Sequence, residues 1–330
     1  MGFLFFLLTM LFGSLHAGDY IDRFYLQDDP PIKTSSRVDL VAFSYDRPIQ
    51  LYALLESCEK YFVGINSVHV ILRYSNDEFA AAYKIVKERF PYVIFHKQLV
   101  TSDKNNFKKL VLEAVYGKNS KARFIMFAVD DLIVTDFTNL SKCVEVMRRK
   151  RPWCFSLRLG QNIHLDTIRN IPSPPPRSKK IGKNMMCWEF SKGAGGWNYP
   201  NSVDLTIYKK TSIRYFLKKG RYSNPNTLEG AWSLREPKSK RGCAFRHSKA
   251  VNIPLNVVNP LWTSQNMEVS TEELLKEFQL GKKINIDDFH DLRPYATHMP
   301  LAVTFTTRDD PEVEPYVGLT KSYYFIRHSR

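Results

Sequence analysis

The stretch Phe124-Ile125-Met126-Phe127-Ala128-Val129-Asp130-Asp131-Leu132-Ile133-Val134 decides how this chain is read. An apolar run flanked by Lys121 and Arg123 leads into two adjacent carboxylates, and three more apolar residues follow. Such a run predicts a buried central strand. Two ionised carboxylates at its end are costly to bury, so they require a cation or hydrogen-bond donors. One reading has one Asp capping the next element and the other solvated. The sharper reading is a divalent-metal site at Asp130 and Asp131, because Mg²⁺ and Mn²⁺ take hard oxygen ligands from carboxylates and substrate phosphates. Asp136 is expected to cap the helix that the periodic run to Met147 predicts, and it stays outside the site.

Strand–helix units precede that stretch. Val38–Ser44 predicts a strand ending at Tyr45-Asp46-Arg47-Pro48, and Ile49, Leu51, Leu54, Leu55 and Cys58 follow at helical spacing. Ser67–Tyr74 predicts a second strand, with Asn76 or Asp77 capping the helix after it. Val93–Phe95 predicts a third, and Phe107, Leu110, Val111, Ala114 and Val115 form one face of a helix closed by Gly117. This order predicts an α/β fold: a mostly parallel central sheet with helices on both faces. Ligands of such sheets bind beyond the carboxyl ends of the strands. That rule lines up Asp46-Arg47, Tyr74-Ser75-Asn76 and Val129-Asp130-Asp131 along one crevice. No G-x-G-x-x-G follows the first strand and no G-x-x-x-x-G-K-[ST] occurs, which disfavours dinucleotide and P-loop readings.

Beyond Asp131 the pattern changes. Cys154–Leu159 predicts a strand, and Ile171–Lys180 a proline-rich, basic, exposed loop. Gly193–Pro200 suits either a loop approaching a ligand or a glycine turn over a buried Trp197. Val203–Tyr208 is a further strand. Asn226 is the expected cap of the next helix, with Glu229 three residues on in a near capping box, which gives Glu229 a structural explanation. Ala250–Val258 predicts a last core strand, and Ser270-Thr271-Glu272-Glu273 opens an amphipathic helix.

The 330 residues are 44% hydrophobic and 13% aromatic, which marks a globular chain rather than a disordered one. Five cysteines without C-x-x-C spacing argue against a zinc knuckle, and Cys187 with Cys243 is a pair open to a disulfide. The net charge of +15 is uneven: Arg148 to Lys249 holds 23 Lys and Arg against five acids, a net +18. So strong a bias favours an anionic partner: a nucleotide diphosphate, a lipid headgroup or anionic membrane surface, an acidic glycan, or nucleic acid. No recognisable nucleic-acid module supports the last.

Residues 1–17 are apolar with a cleavage-like Leu15-His16-Ala17, so a signal peptide or short anchor is expected. From this segment the chain is expected to be exported, in the secretory pathway or membrane-associated. Residues 18–37 then read as a linker, and 38–160 and 161–265 as the two halves of one domain. A C-terminal helix and tail fill 266–330.

The chain resembles glycosyltransferases of the GT-A type, which use nucleotide sugars and an acidic metal motif. The residues that carry the resemblance are Val41-Ala42-Phe43-Ser44-Tyr45-Asp46-Arg47-Pro48 and Val129-Asp130-Asp131. The runs Trp197–Asp204 and Pro225–Gly230 resemble a group of glycosyltransferase-like proteins. The resemblance implies a Rossmann-like nucleotide-sugar-binding half at 38–160, an acceptor-binding half at 161–265, and Asp46, Arg47, Asn76 and Asp130 near the base and ribose of the donor. It implies Mn²⁺ or Mg²⁺ on Asp130 and Asp131, mainly Asp131, because the first acid of the usual D-x-D is Val129 here. Inverting transfer needs a carboxylate base; Glu229 is the first choice and Asp204 the second. A histidine (His247, His290, His298 or His328) is open as a further metal ligand. The acceptor, whether glycan, lipid or protein, is not named by the sequence. The alternative is a non-catalytic glycan- or anionic-lipid-binding protein on the same fold.

Overall fold

The computed structural model describes residues 33–233, 240–258 and 266–308. Nine strands form one sheet: β1 (Val38–Tyr45), β2 (Ile65–Arg73), β3 (Ile94–Lys97), β4 (Phe124–Val129), β5 (Cys154–Ser156), β6 (Ser178–Ile181), β7 (Met185–Glu189), β8 (Thr206–Lys209) and β9 (Arg241–Phe245). Their spatial order is β6-β7-β9-β5-β8-β4-β1-β2-β3. Seven strands share one direction, and β7 and β8 run against them. The sheet is thus mixed and mostly parallel.

Both faces are covered, and the strands show it by alternation. Val38, Leu40 and Ala42 of β1, with Phe124, Met126 and Ala128 of β4, pack in one layer. Val41 and Phe43, with Ile125 and Phe127, pack in the other. Two-sided burial explains why β4 reads as a continuous apolar run. The first layer receives helices α1 (Pro48–Tyr61), α2 (Asp77–Arg89), α4 (Leu140–Lys150) and α7 (Thr271–Gln279); the second receives α3 (Phe107–Tyr116), α5 (Lys210–Lys219) and α6 (Pro225–Ser233).

Several expectations change. The run through Asp131 does not continue as one strand: Leu132–Val134 turns away and pairs antiparallel with Ala250–Asn252. The last core strand is therefore three residues long, not nine. Asn139, not Asp136, caps α4, accepting from Ser141 N at 3.0 Å, while Asp136 pairs with Lys249. Part of the expected basic loop is strand β6, whose exposed Lys179 and Lys180 lie on a sheet edge, where lysine discourages pairing with other chains. Cys187 and Cys243 face each other in register on β7 and β9 and are joined as a disulfide. Trp197 is fully buried, its indole donating to Ser173 O at 3.1 Å, so the glycine turn over a buried Trp is the reading that holds. Gly195 sits there at φ +53, and a Cβ would lie 2.7 Å from Ser173 Oγ.

The expected membrane association or export is corrected. Among the described residues no helix is long and apolar enough to cross a membrane. The apolar segment 1–17 that motivated it lies outside the described residues, as do 18–32 of the linker and 309–330 of the tail.

At the amino end of β1, Asp39 is wholly buried yet fully engaged. It accepts from Asn66 Nδ2 (2.6 Å) and Ser67 Oγ (2.7 Å) and pairs with buried Lys210 Nζ at 2.6 Å. Removing one partner of a buried pair leaves an uncompensated charge. Lys210→Met should therefore cost about 3–5 kcal/mol in urea unfolding, with Asp39→Asn in the same chain recovering part of the loss.

Candidate active site

The crevice forms at the carboxyl ends of β1, β2, β4 and β5. Because β8 runs against them, it is the residues before it that reach the same edge. Thr206 pairs with both Phe127 and Ser156, so Asp204, two residues upstream, comes beside Val129 and Arg158. The short 250–252 strand adds Asn252, with Ile253 N donating to Asp131 O at 2.7 Å. A bridge between Asn252 and His298 then brings in the C-terminal segment.

Asp130 is buried and doubly engaged: Arg47 Nη1 reaches Oδ1 at 3.0 Å and Tyr45 N reaches Oδ2 at 3.3 Å. Arg47 also donates to Asn256 O at 2.6 Å, tying the start of α1 to the 253–258 loop. Arg47 Nε, Gln50 Oε1 and Asn256 Nδ2 are buried nearby without a hydrogen-bond partner among the described residues. Asp46 takes the left-handed conformation (φ 51) and accepts from Ser75 N at 2.9 Å, and burial pushes its carboxyl up. Asn76, expected at the donor edge, is exposed and caps α2, its Oδ1 accepting from Phe79 N at 3.1 Å.

Asp131 is different. Its Oδ1 accepts from Asn252 Nδ2 at 2.9 Å, and its other oxygen accepts nothing among the described residues. Burial raises its carboxyl to about 6; Arg47 opposes the rise, and Asp130 and Asp204 add to it. Crowded negative charge of this kind is what a cation relieves. The donor set therefore fits a hard divalent ion at Asp131, whereas both oxygens of Asp130 have partners already. Among the described residues no group of three or more His, Cys, Asp or Glu side chains could hold a metal. An ion there would complete its shell with substrate oxygens and water.

Across the crevice Arg158, two residues beyond β5, is the hub. Its guanidinium reaches Asp204 Oδ2 (2.8 Å), Ser202 Oγ (3.3 Å), Asn252 Oδ1 (2.7 Å) and His298 Nε2 (3.2 Å). Glu229 Oε1 accepts from Val203 N at 3.0 Å, and burial and the Asp204 charge push its carboxyl up to about 7. The helix cap is not Asn226. Asn224 Oδ1 accepts from Thr227 N (2.8 Å) and Thr227 Oγ1 from Asn224 N (3.0 Å), so the capping box is complete without Glu229. Of the candidate histidines, His298 is in the crevice with Nε2 against Arg158, His290 stacks on Tyr61, His247 is exposed, and His328 lies outside the described residues.

Sequence reasoning missed Arg158, Asn252 and Ser202. The signal for the first two was polarity inside apolar runs, Leu157-Arg158-Leu159 and Val251-Asn252-Ile253, where a buried polar group must have a partner.

No protein-family model matches the chain. The bifunctional glycosyltransferase pgtA of Dictyostelium discoideum is 26% identical over 217 residues, 58% of this chain and 27% of that protein. The chain is homologous to part of that glycosyltransferase. It spans roughly a quarter of that relative's length. Among solved structures, S. aureus TarS 1–349 overlaps this homologue with a TM-score of 0.40 and 13% identity, covering 65% of this chain and 59% of TarS. A Pyrobaculum calidifontis mannosyltransferase, solved with GDP-Man and Mn²⁺, overlaps with a TM-score of 0.36 and 10% identity, covering 68% of this chain and 61% of its own. Overlaps this shallow carry no functional argument.

Burial and the Arg158 charge lower His298 to about 4. Its folded value lies below the unfolded 6.5, so the stability it contributes is complete above pH 6.5 and is lost as pH falls toward 4. Asp131 and Glu229, raised to about 6 and about 7, gain stability as pH falls through the same window and oppose it. The check is therefore a comparison: His298→Asn should lose less stability toward pH 4 in urea unfolding than the unsubstituted chain. Part of the loss should persist, because His69, also buried, is likewise lowered to about 4.

Proposed function

We propose that this chain transfers a sugar from a nucleoside-diphosphate donor to an acceptor hydroxyl, with inversion at the anomeric carbon and with Mn²⁺ or Mg²⁺ as cofactor. The observation that carries this reading is Asp131, a half-buried carboxylate with one open oxygen, on the same sheet edge as Asp204 and Glu229 in a glycosyltransferase homologue.

In this reading Asp131 holds the divalent ion together with the donor diphosphate. When bound, that ion supplies Lewis-acid charge for the leaving group. Asp46 and Asp130 line the ribose and base side of the donor, and Arg47 fixes Asp130 there. Glu229 takes the proton from the acceptor hydroxyl as that oxygen bonds to the anomeric carbon. The bond from this carbon to the phosphate oxygen breaks, and its electron pair leaves on the nucleoside diphosphate. A carboxyl poised near neutral pH suits such a base.

A second reading is non-catalytic binding of an acidic glycan or anionic lipid. The exposed Arg177, Lys179, Lys180 and Lys183 along the β6–β7 edge favour it. Turnover separates the two.

Two variants test the proposal. Asp131→Asn should abolish the metal-dependent part of nucleoside-diphosphate affinity in calorimetry and leave the fold intact; donor binding that survives EDTA unchanged contradicts the metal role. Glu229→Gln should lower turnover by about 10²–10⁴-fold with donor affinity nearly kept. Full activity in that variant, with loss in Asp204→Asn, moves the base to Asp204.

A further inference from the structure

One guanidinium ties together four segments that are far apart in sequence. Arg158 follows β5, Ser202 and Asp204 precede β8, Asn252 ends the strand paired with 132–134, and His298 lies in the C-terminal segment. The Arg158 and Asp204 side chains are each only 11% exposed, so this is a sheltered pair rather than a surface one. Asp204 is held further by Ser202, whose hydroxyl lies 3.2 Å from Oδ2, while Asn252 joins the guanidinium to Asp131 through 2.7 Å and 2.9 Å bonds. Arg158 therefore stands between the carboxylate that fits a metal and the two on the acceptor side.

We propose that Arg158 is a positioning residue: it locks Asp204 in an ion pair and so reserves the proton-accepting role for Glu229. This rests on the reading of Glu229 as the base. Arg158 and Ser202 act on both acids, but the guanidinium pairs with Asp204 at 2.8 Å, and Glu229, which also receives the Val203 amide, feels Asp204 as a like charge. Asp204 Oδ2 is already taken by the Arg158 guanidinium at 2.8 Å and the Ser202 hydroxyl at 3.2 Å, which leaves that oxygen badly placed to receive an acceptor proton. The groups acting on Glu229 are Asp204 (raising), Arg158 and Ser202 (lowering) and the Val203 amide (lowering); the buried Tyr208 phenol of β8 also faces it. The lock predicts a definite order of effects, because removing the cation and removing the anion shift Glu229 in opposite directions.

The test reads ionisation, not turnover. Carboxyl ¹³C NMR of the full chain, with Glu229 assigned by loss of its signal in Glu229→Gln, gives its titration midpoint in each variant. Arg158→Gln should raise that midpoint by about one pH unit, and Asp204→Asn should lower it by about as much. Arg158→Lys, which keeps the charge, should fall close to the unsubstituted chain. A folded Arg158→Gln variant with an unmoved Glu229 midpoint overturns the proposal. Arg158→Gln strands a sheltered carboxylate and risks unfolding. In that event Asp204→Asn, which strands no carboxylate, carries the test: a lowered Glu229 midpoint shows that the paired Asp204 stays ionised beside it and supports the proposal, and an unmoved one overturns it. Absence of sugar transfer in the unsubstituted chain speaks against the proposed function, and these midpoints are read independently of it.

Discussion

Five carboxylates converge at one end of a nine-stranded sheet, and no such crowd can stay ionised in a half-buried crevice without positive charge among them. Asp46, Asp130 and Asp131 come from the strand ends of the first half, Asp204 and Glu229 from the second. Two guanidiniums divide the work. Arg47 compensates Asp130 at 3.0 Å, and Arg158 compensates Asp204 at 2.8 Å. What remains are Asp131 and Glu229, both pushed up by burial, to about 6 and about 7. In the function proposed for this chain, that division assigns Asp131 to a metal and Glu229 to a proton.

The same division explains why the site needs so much of the chain. Asp130 and Asp131 follow from β4 alone, but Arg47 reaches them from the start of α1, and Asn252 from a three-residue strand that pairs with 132–134. Antiparallel β8 is the decisive piece of topology, because it turns the residues before a strand toward an edge otherwise built from residues after strands.

Much of this was legible in the sequence because it is local. The two-sided burial of β4 leaves an apolar run, and a pair of acids closing such a run is visible without any structure. Asp46 and Asp131 were singled out at strand ends on that kind of signal, whereas Glu229 and Asp204 were candidates only because the resemblance calls for a carboxylate base. What could not be read is long-range. The choice between Asn224 and Asn226 as a cap turns on a two-residue shift that both residues satisfy by type, and it decided whether Glu229 belonged to the capping box. Strands β6, β7 and β9 are short and rich in Lys, Met, Cys and Gly, so their pairing comes from neighbours rather than propensity. Arg158 looked like one more cation in a basic stretch; only its burial, 9% exposed, shows that it belongs to the crevice.

The central claim is that Asp131 is the residue through which a divalent ion and a donor diphosphate are held. The most direct measurement is a crystal structure with manganese and a nucleoside diphosphate, the metal located by its anomalous scattering. The account predicts a manganese peak at bonding distance from Asp131, diphosphate oxygens in its shell, and the Arg47–Asp130 pair intact beside it. Manganese bound elsewhere, or a diphosphate seated away from this sheet edge, would contradict it.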